Sequence, residues 1–205
     1  MTHWRVAIVL ACVLGLAGCG LAVLGGGAAA VTAFEDRRTS GTMFDDEGIE
    51  RSVNRGVRER FGEATHVNVT SFSRSVLLTG EVPDEATRTQ VEKIAQSIAN
   101  VRAVTNELQI GGVSSVAARA NDSLITTKIK ARLVDSGKLN PVHVKVVTEA
   151  GVVYLLGLVT EAEANEAVEI ARTTGGVRKV VKVFEYCSAG DALCRPYAEK
   201  TQPRT

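Results

Sequence analysis

From Ile49, apolar residues recur at every fourth position, at Val53, Val57 and Phe61, with charged residues filling the gaps. The pattern returns at Ile125, Ile129 and Leu133. Each run predicts an amphipathic helix that buries one stripe. The period then shortens to two. His66-Val67-Asn68-Val69 and Val142–Val146 alternate as half-buried strands do. Turn-forming residues at Ser73–Ser75 and Glu149–Gly151 lead back into Val76–Gly80 and Val152–Gly157, which predicts two hairpins. A second helix follows in each copy. One opens on Pro83-Asp84-Glu85, residues suited to a first turn, and carries Val91, Ile94, Ala95 and Ile98 as its stripe. The other opens on a capping box, Thr160 to Glu163, and carries Ala164, Ala167, Val168 and Ala171. Val101–Ile110 and Val177–Tyr186 read as closing strands.

The chain thus repeats one order, α-β-β-α-β. Gly80 and Gly157 stand 77 residues apart, as do His66 and His143. A strand-helix-strand connection makes the third strand parallel to its neighbour. The predicted fold class is α/β (α+β): two tandem domains, 45–111 and 121–186, each a three-stranded mixed sheet with two helices on one face. A unit of about 65 residues is marginal alone. The copies should therefore pack on each other, or be held close by the linker Gly111–Ala120.

The N-terminus has a different pattern. One cation, Arg5, precedes an apolar run from Val6 to Leu16 and then Ala17-Gly18-Cys19. That layout predicts a secretory signal peptide over 1–18, with Cys19 as the lipid-attachment residue and 19–44 as a lipidated, flexible linker. The competing reading is an uncleaved membrane helix over Val6–Phe34, which its glycines weaken at about 1 kcal/mol each relative to alanine. Gly20 after the cysteine, in place of aspartate, favours the outer membrane, with the chain facing the periplasm.

Charge and cysteines narrow the chemistry. A net charge of +1 provides no drive toward nucleic acid. Of the 4 cysteines, Cys12 is expected to leave with the signal peptide and Cys19 to be acylated. Cys187 and Cys194 remain in the tail 187–205, an even pair in an oxidising compartment, and are predicted to form a disulfide. His66 and His143, each set among valines, are expected to face solvent or a sheet edge. No Cys, Asp or Glu stands near either at ligand spacing, so no metal and no cofactor are expected. Ser73 and Ser75 lack a triad context, and Gly25–Gly27 do not lie between a strand and a helix as a phosphate loop would. Enzymatic activity is not expected.

The doubled order, with Leu78-Thr79-Gly80-Glu81-Val82, Leu155-Leu156-Gly157-Leu158-Val159 and the repeated Val101-Arg102 and Val177-Arg178, resembles the BON domain family over about Asp45–Tyr186. Two such domains behind a lipobox resemble the family's dual-domain outer-membrane lipoproteins and osmotically inducible periplasmic relatives. The resemblance implies binding of membrane phospholipid, anionic preferred, in support of envelope integrity, without catalysis. Charge selects the surface. Leu124–Lys138 carries Lys128, Lys130, Arg132 and Lys138 against Asp135, whereas Thr160–Arg172 carries four glutamates against Arg172. The predicted lipid-binding residues are Leu124, Thr127, Lys128, Lys130, Arg132 and Val134. Glu161, Glu163, Glu166 and Glu169 read as a solvated face. The alternative function is a non-enzymatic adaptor that docks an envelope protein, with lipid serving only as anchor.

Overall fold

The computed structural model describes residues 36–188, 190, 191 and 194. The first repeat opens with α1 (Ser40–Phe61), whose start is fixed by the Thr39 side chain accepting from the Thr42 amide. The hairpin β1 (His66–Phe72) and β2 (Ser75–Val82) follows, then α2 (Glu85–Ser97), capped by Asp84. β1 pairs antiparallel with β2, and β3 (Ala103–Asn106) pairs parallel with β2. The predicted closing strand is interrupted. The Glu107 amide donates to the Leu78 carbonyl, Leu108 turns into the core, and pairing with β2 resumes in β4 (Gln109–Ile110).

The second repeat follows the same order. α3 (Val116–Ser136) leads through a 3-10 turn at Pro141–His143 into β5 (Val144–Glu149) and β6 (Val152–Val159). α4 (Glu161–Arg172) carries the predicted capping box, and β7 (Lys179–Tyr186) runs parallel to β6 without a break. α3 begins five residues before Ala120's successor, so Val116–Ala120 belong to a helix and only 111–115 are linker. The segment before α1 is also built in, with Arg37 buried.

Two buried aspartates set the hairpins. Asp46 on α1 accepts from the amides of Ser73 and Arg74 and from the Ser71 hydroxyl. Asp122 on α3 accepts from the amides of Ala150 and Gly151. Ser73, Arg74 and Ala150 all have positive φ, so each carboxylate compensates a turn that side-chain-bearing residues adopt reluctantly. The recurring glycines have a different cause. A Cβ on Gly80 would lie 2.0 Å from the His66 carbonyl oxygen, and one on Gly157 would lie 2.3 Å from that of His143. Close approach of two backbones requires glycine there.

Each sheet covers its helices with one face. Val76, Leu78 and Val82 join Ile49, Val53 and Val57 in one core, and Val153, Leu155 and Val159 join Ile125, Ile129 and Leu133 in the other. The opposite faces meet. Phe72 and Leu77 of the first sheet pack on Tyr154 and Leu156 of the second, with Val147, Leu158, Val181 and Val183 around them. Helices therefore lie outside and two sheets inside, and the repeats share a seam between the sheets.

Candidate functional site

The outer surface of α3 holds the predicted lipid-contact residues. Its buried stripe is Asp122, Ile125, Ile129 and Leu133. On the opposite side Leu124 is 59% exposed and Val134 57%, and Thr127, Lys128 and Lys130 are exposed with them. At 100° per residue, Leu124, Thr127, Ala131 and Val134 form one ridge, with Lys128 on one flank and Lys130 on the other. Val116, 74% exposed, extends the ridge toward the start of the helix. Among the described residues neither lysine forms an ion pair.

Two of the basic residues on this stretch have structural partners. Arg132 lies on the side of α3 toward α4, and its guanidinium donates to the Ile170 carbonyl and to the hydroxyls of Thr173 and Thr174. It thereby satisfies the carboxyl end of α4, where a cation is favoured. Lys138 pairs with Glu166 at 3.0 Å. Lys128 and Lys130 are the two whose side chains have no partner among the described residues, and Arg132, whose acceptors are neutral, keeps its charge.

α3 also borders two openings along the seam. Beside its carboxyl half, a crevice of about 390 Å³ has an apolar lining of Phe72, Leu133, Val134, Pro141, Val142 and Val144, with Arg38, Lys130 and Lys145 at its rim. Arg38 and Lys145 are already engaged. Arg38 stacks 4.2 Å from the Phe72 ring and pairs with Asp36 and Asp46, and Lys145 pairs with Glu50 at 2.8 Å. Beside the amino half of α3, a polar cleft of about 420 Å³ is lined by Arg119, Ser123, Thr126 and Thr127 together with His66, Asn68 and Glu149.

Of the two histidines expected to face solvent or a sheet edge, His66 is half-buried on the edge strand β1, whereas His143 is enclosed. His143 is 2% exposed, and its Nδ1 lies 3.7 Å from Glu163. Glu163, read from sequence as part of a solvated face, is 5% exposed and receives a two-pronged ion pair from Arg37 at 2.7 and 2.9 Å. Burial pushes the Glu163 carboxyl up, but hydrogen bonds from His143, Arg37 and the Thr160 amide outweigh it and hold it at about 2. His66 stands opposite Glu81 across the β1–β2 ladder, and its Nε2 is 3.9 Å from Glu149 of the second repeat. Burial pushes the Glu149 carboxyl up; Asn68 and His66 oppose this, Glu81 and Asp122 add to it, and the net displacement is upward.

Cys187 and Cys194 are joined by a disulfide, with Cα atoms 6.1 Å apart. Cys19 and the signal segment 1–18 lie outside the described residues. Among those described, no helix is long and apolar enough to cross a membrane.

Comparison with known proteins agrees with the repeat. BON domain sequences match residues 45–112 and 121–188. The chain belongs to the BON domain family. It is 39% identical over 184 residues to the Outer membrane lipoprotein DolP of Haemophilus influenzae, covering 89% of this chain and 95% of that one. It is 35% identical to the 21 kDa hemolysin of Actinobacillus pleuropneumoniae, over 74% of this chain and 79% of the relative. To the Osmotically-inducible protein Y of Escherichia coli it is 31% identical, over 68% of this chain and 72% of that protein. This BON protein is an outer-membrane lipoprotein, lipid-anchored and facing the periplasm, and its relatives indicate no enzyme family.

Proposed function

We propose that this BON-domain lipoprotein supports the cell envelope by binding anionic phospholipid through the outer surface of α3, while acyl chains on Cys19 hold it at the membrane. The observation that carries the reading is the exposed ridge of Leu124, Thr127 and Val134 between Lys128 and Lys130, two lysines without ion-pair partners among the described residues. Apolar side chains can enter the headgroup layer while flanking lysines meet phosphates, at about 1 kcal/mol per basic residue near an anionic surface. Arg132 supports this surface by fixing α3 to α4.

The test is co-sedimentation with vesicles of a form lacking residues 1–19. It is expected to sediment with anionic but not zwitterionic vesicles, and less at high salt. Equal recovery with both would remove the reading. The adaptor alternative predicts a different result: one dominant crosslinked envelope protein, retained when Lys128 and Lys130 are replaced by alanine.

A further inference from the structure

The seam between the two sheets has two ends built from corresponding positions, and only one of them is closed by apolar contact. At the closed end Phe72 packs against the second sheet, with Leu158 and the stem of Lys145 near it. The corresponding residues at the other end, 77 positions away, are Glu149, Glu81 and Asn68. Glu81 and Glu149 are 8% and 5% exposed. The fold can therefore close such an end with Phe and Leu, yet here it holds two buried carboxylates and an imidazole.

We propose that His66, Glu81 and Glu149 form a binding site for a divalent transition-metal ion of the zinc type, which joins the two BON repeats at this end of the seam. One ligand atom from each of the three residues lies within 4.8 Å of the others. His66 and Glu81 come from paired strands of the first repeat, and Glu149 comes from the last position of β5 in the second. Metal–ligand bonds of about 2.0–2.1 Å place tetrahedral ligand atoms about 3.3 Å apart, so side-chain adjustments of an ångström or so complete the site.

Three further features fit a cation. Each carboxylate has one oxygen held by a neighbour, Glu149 Oε2 by the Asn68 amide at 2.6 Å and Glu81 Oε2 by the Ser114 backbone N–H at 3.1 Å. That leaves the second oxygen of each for a metal, the arrangement by which outer-shell donors orient ligands. Among the described residues no lysine or arginine pairs with either carboxylate. Arg119 lines the adjoining cleft but directs its guanidinium to the Ser114 carbonyl at 2.5 Å. The cleft leaves the fourth position open to water and gives an ion a route in. An imidazole beside two carboxylates suits zinc, cobalt or manganese over magnesium, which favours all-oxygen surroundings.

The test uses the untagged full chain in detergent, with its disulfide intact, stripped by chelator and dialysed against Zn²⁺ or Co²⁺. One equivalent is expected to bind per chain, Co²⁺ is expected to show the visible absorption of a low-coordinate site, and Zn²⁺ is expected to raise the unfolding temperature. Magnesium in excess should displace neither. Binding and the thermal shift should vanish in both His66→Asn and Glu149→Gln, with circular dichroism confirming that each folds. Asn68→Ala keeps every ligand and should weaken binding about tenfold. Failure of Zn²⁺ to bind, or binding that survives unchanged in His66→Asn and Glu149→Gln, overturns the proposal.

Discussion

The two ends of the inter-repeat seam occupy equivalent places in a doubled fold and are held by opposite chemistry. At one, Phe72 is buried beneath the Arg38 guanidinium, and Arg37 reaches across to Glu163 and the Leu158 carbonyl. At the other, Glu149, Glu81, His66 and Asn68 meet beside an open polar cleft. Residues 36–39, which lead into α1, lie across the first. Duplication gave both ends equivalent strand positions, and the difference lies in the side chains placed there and in the Arg37–Arg38 segment that covers one of them. A symmetric repeat has acquired one end fixed by packing and a tether-borne ion pair, and one end whose fastening is left to polar groups.

The sharpest way to break this contrast is to empty the packed end. Phe72→Ala is expected to cost about 3–5 kcal/mol, read as a fall in the denaturation midpoint, because a buried ring is lost from the packed end of the seam. A loss below about 1 kcal/mol would mean that this end does not hold the repeats together. Glu163→Gln is expected to cost about 3 kcal/mol, since it leaves the buried Arg37 without its counter-charge. The sign of its pH dependence follows from the lowered carboxyl. Glu163 titrates at about 2 in the folded chain against an ordinary 4.5, so its stabilisation is complete above about pH 4.5 and is lost as pH falls toward 2. In Glu163→Gln that portion of the acid sensitivity should disappear from a pH series of unfolding curves.

What the sequence disclosed depends on the distance over which a contact acts. Helix and strand periods, the capping box at Thr160 and the matched glycines are local, and each repeat could be drawn from them. The broken third strand of the first repeat was not legible, because Leu108 turns inward through a backbone detour that a run of mixed residues does not announce. Glu163 sits at regular spacing among three other acids, and nothing in that spacing shows Arg37, which comes from more than a hundred residues away. His66 illustrates the same limit at the candidate metal site. Glu81 lies fifteen residues on and becomes its neighbour only through strand register, and Glu149 only through the packing of sheet on sheet. Arg132 and Lys128 look alike in a charge count, but helix phase separates them: one faces α4 and the other faces outward. One long-range contact did leave a trace in the sequence. Asp46 and Asp122 stand at the same place in each repeat, on the buried side of a helix stripe, where a carboxylate needs a backbone turn to accept from.

A gentler intervention makes the polar end resemble the packed one. The double replacement Glu81→Leu, Glu149→Phe is expected to raise stability by about 1–3 kcal/mol in chelator-containing buffer, as replacement of buried charges by apolar groups often does. It also removes the ligands, so added Zn²⁺ should no longer shift its unfolding. A fall in stability under chelation would show that the carboxylates are already well compensated by Asn68, Ser114 and His66.

The smallest expected effect concerns α3, which runs past both ends. Lys130 borders the apolar crevice at the packed end, whereas Thr127 borders the polar cleft. If a bilayer lies along the whole ridge, Lys128→Ala and Lys130→Ala should each weaken binding to anionic vesicles by about 1 kcal/mol, roughly fivefold. The two losses should add in the double variant and shrink together as salt rises, because neither lysine has an ion-pair partner among the described residues. If instead lipid engages only the crevice, Lys130→Ala should account for nearly all of the loss and Lys128→Ala for almost none. Unfolding curves should be unchanged for both, since each side chain is exposed and outside the core. The ratio of the two losses therefore reports whether the membrane reads the helix as a continuous face or reads only the end of the seam that packing has closed.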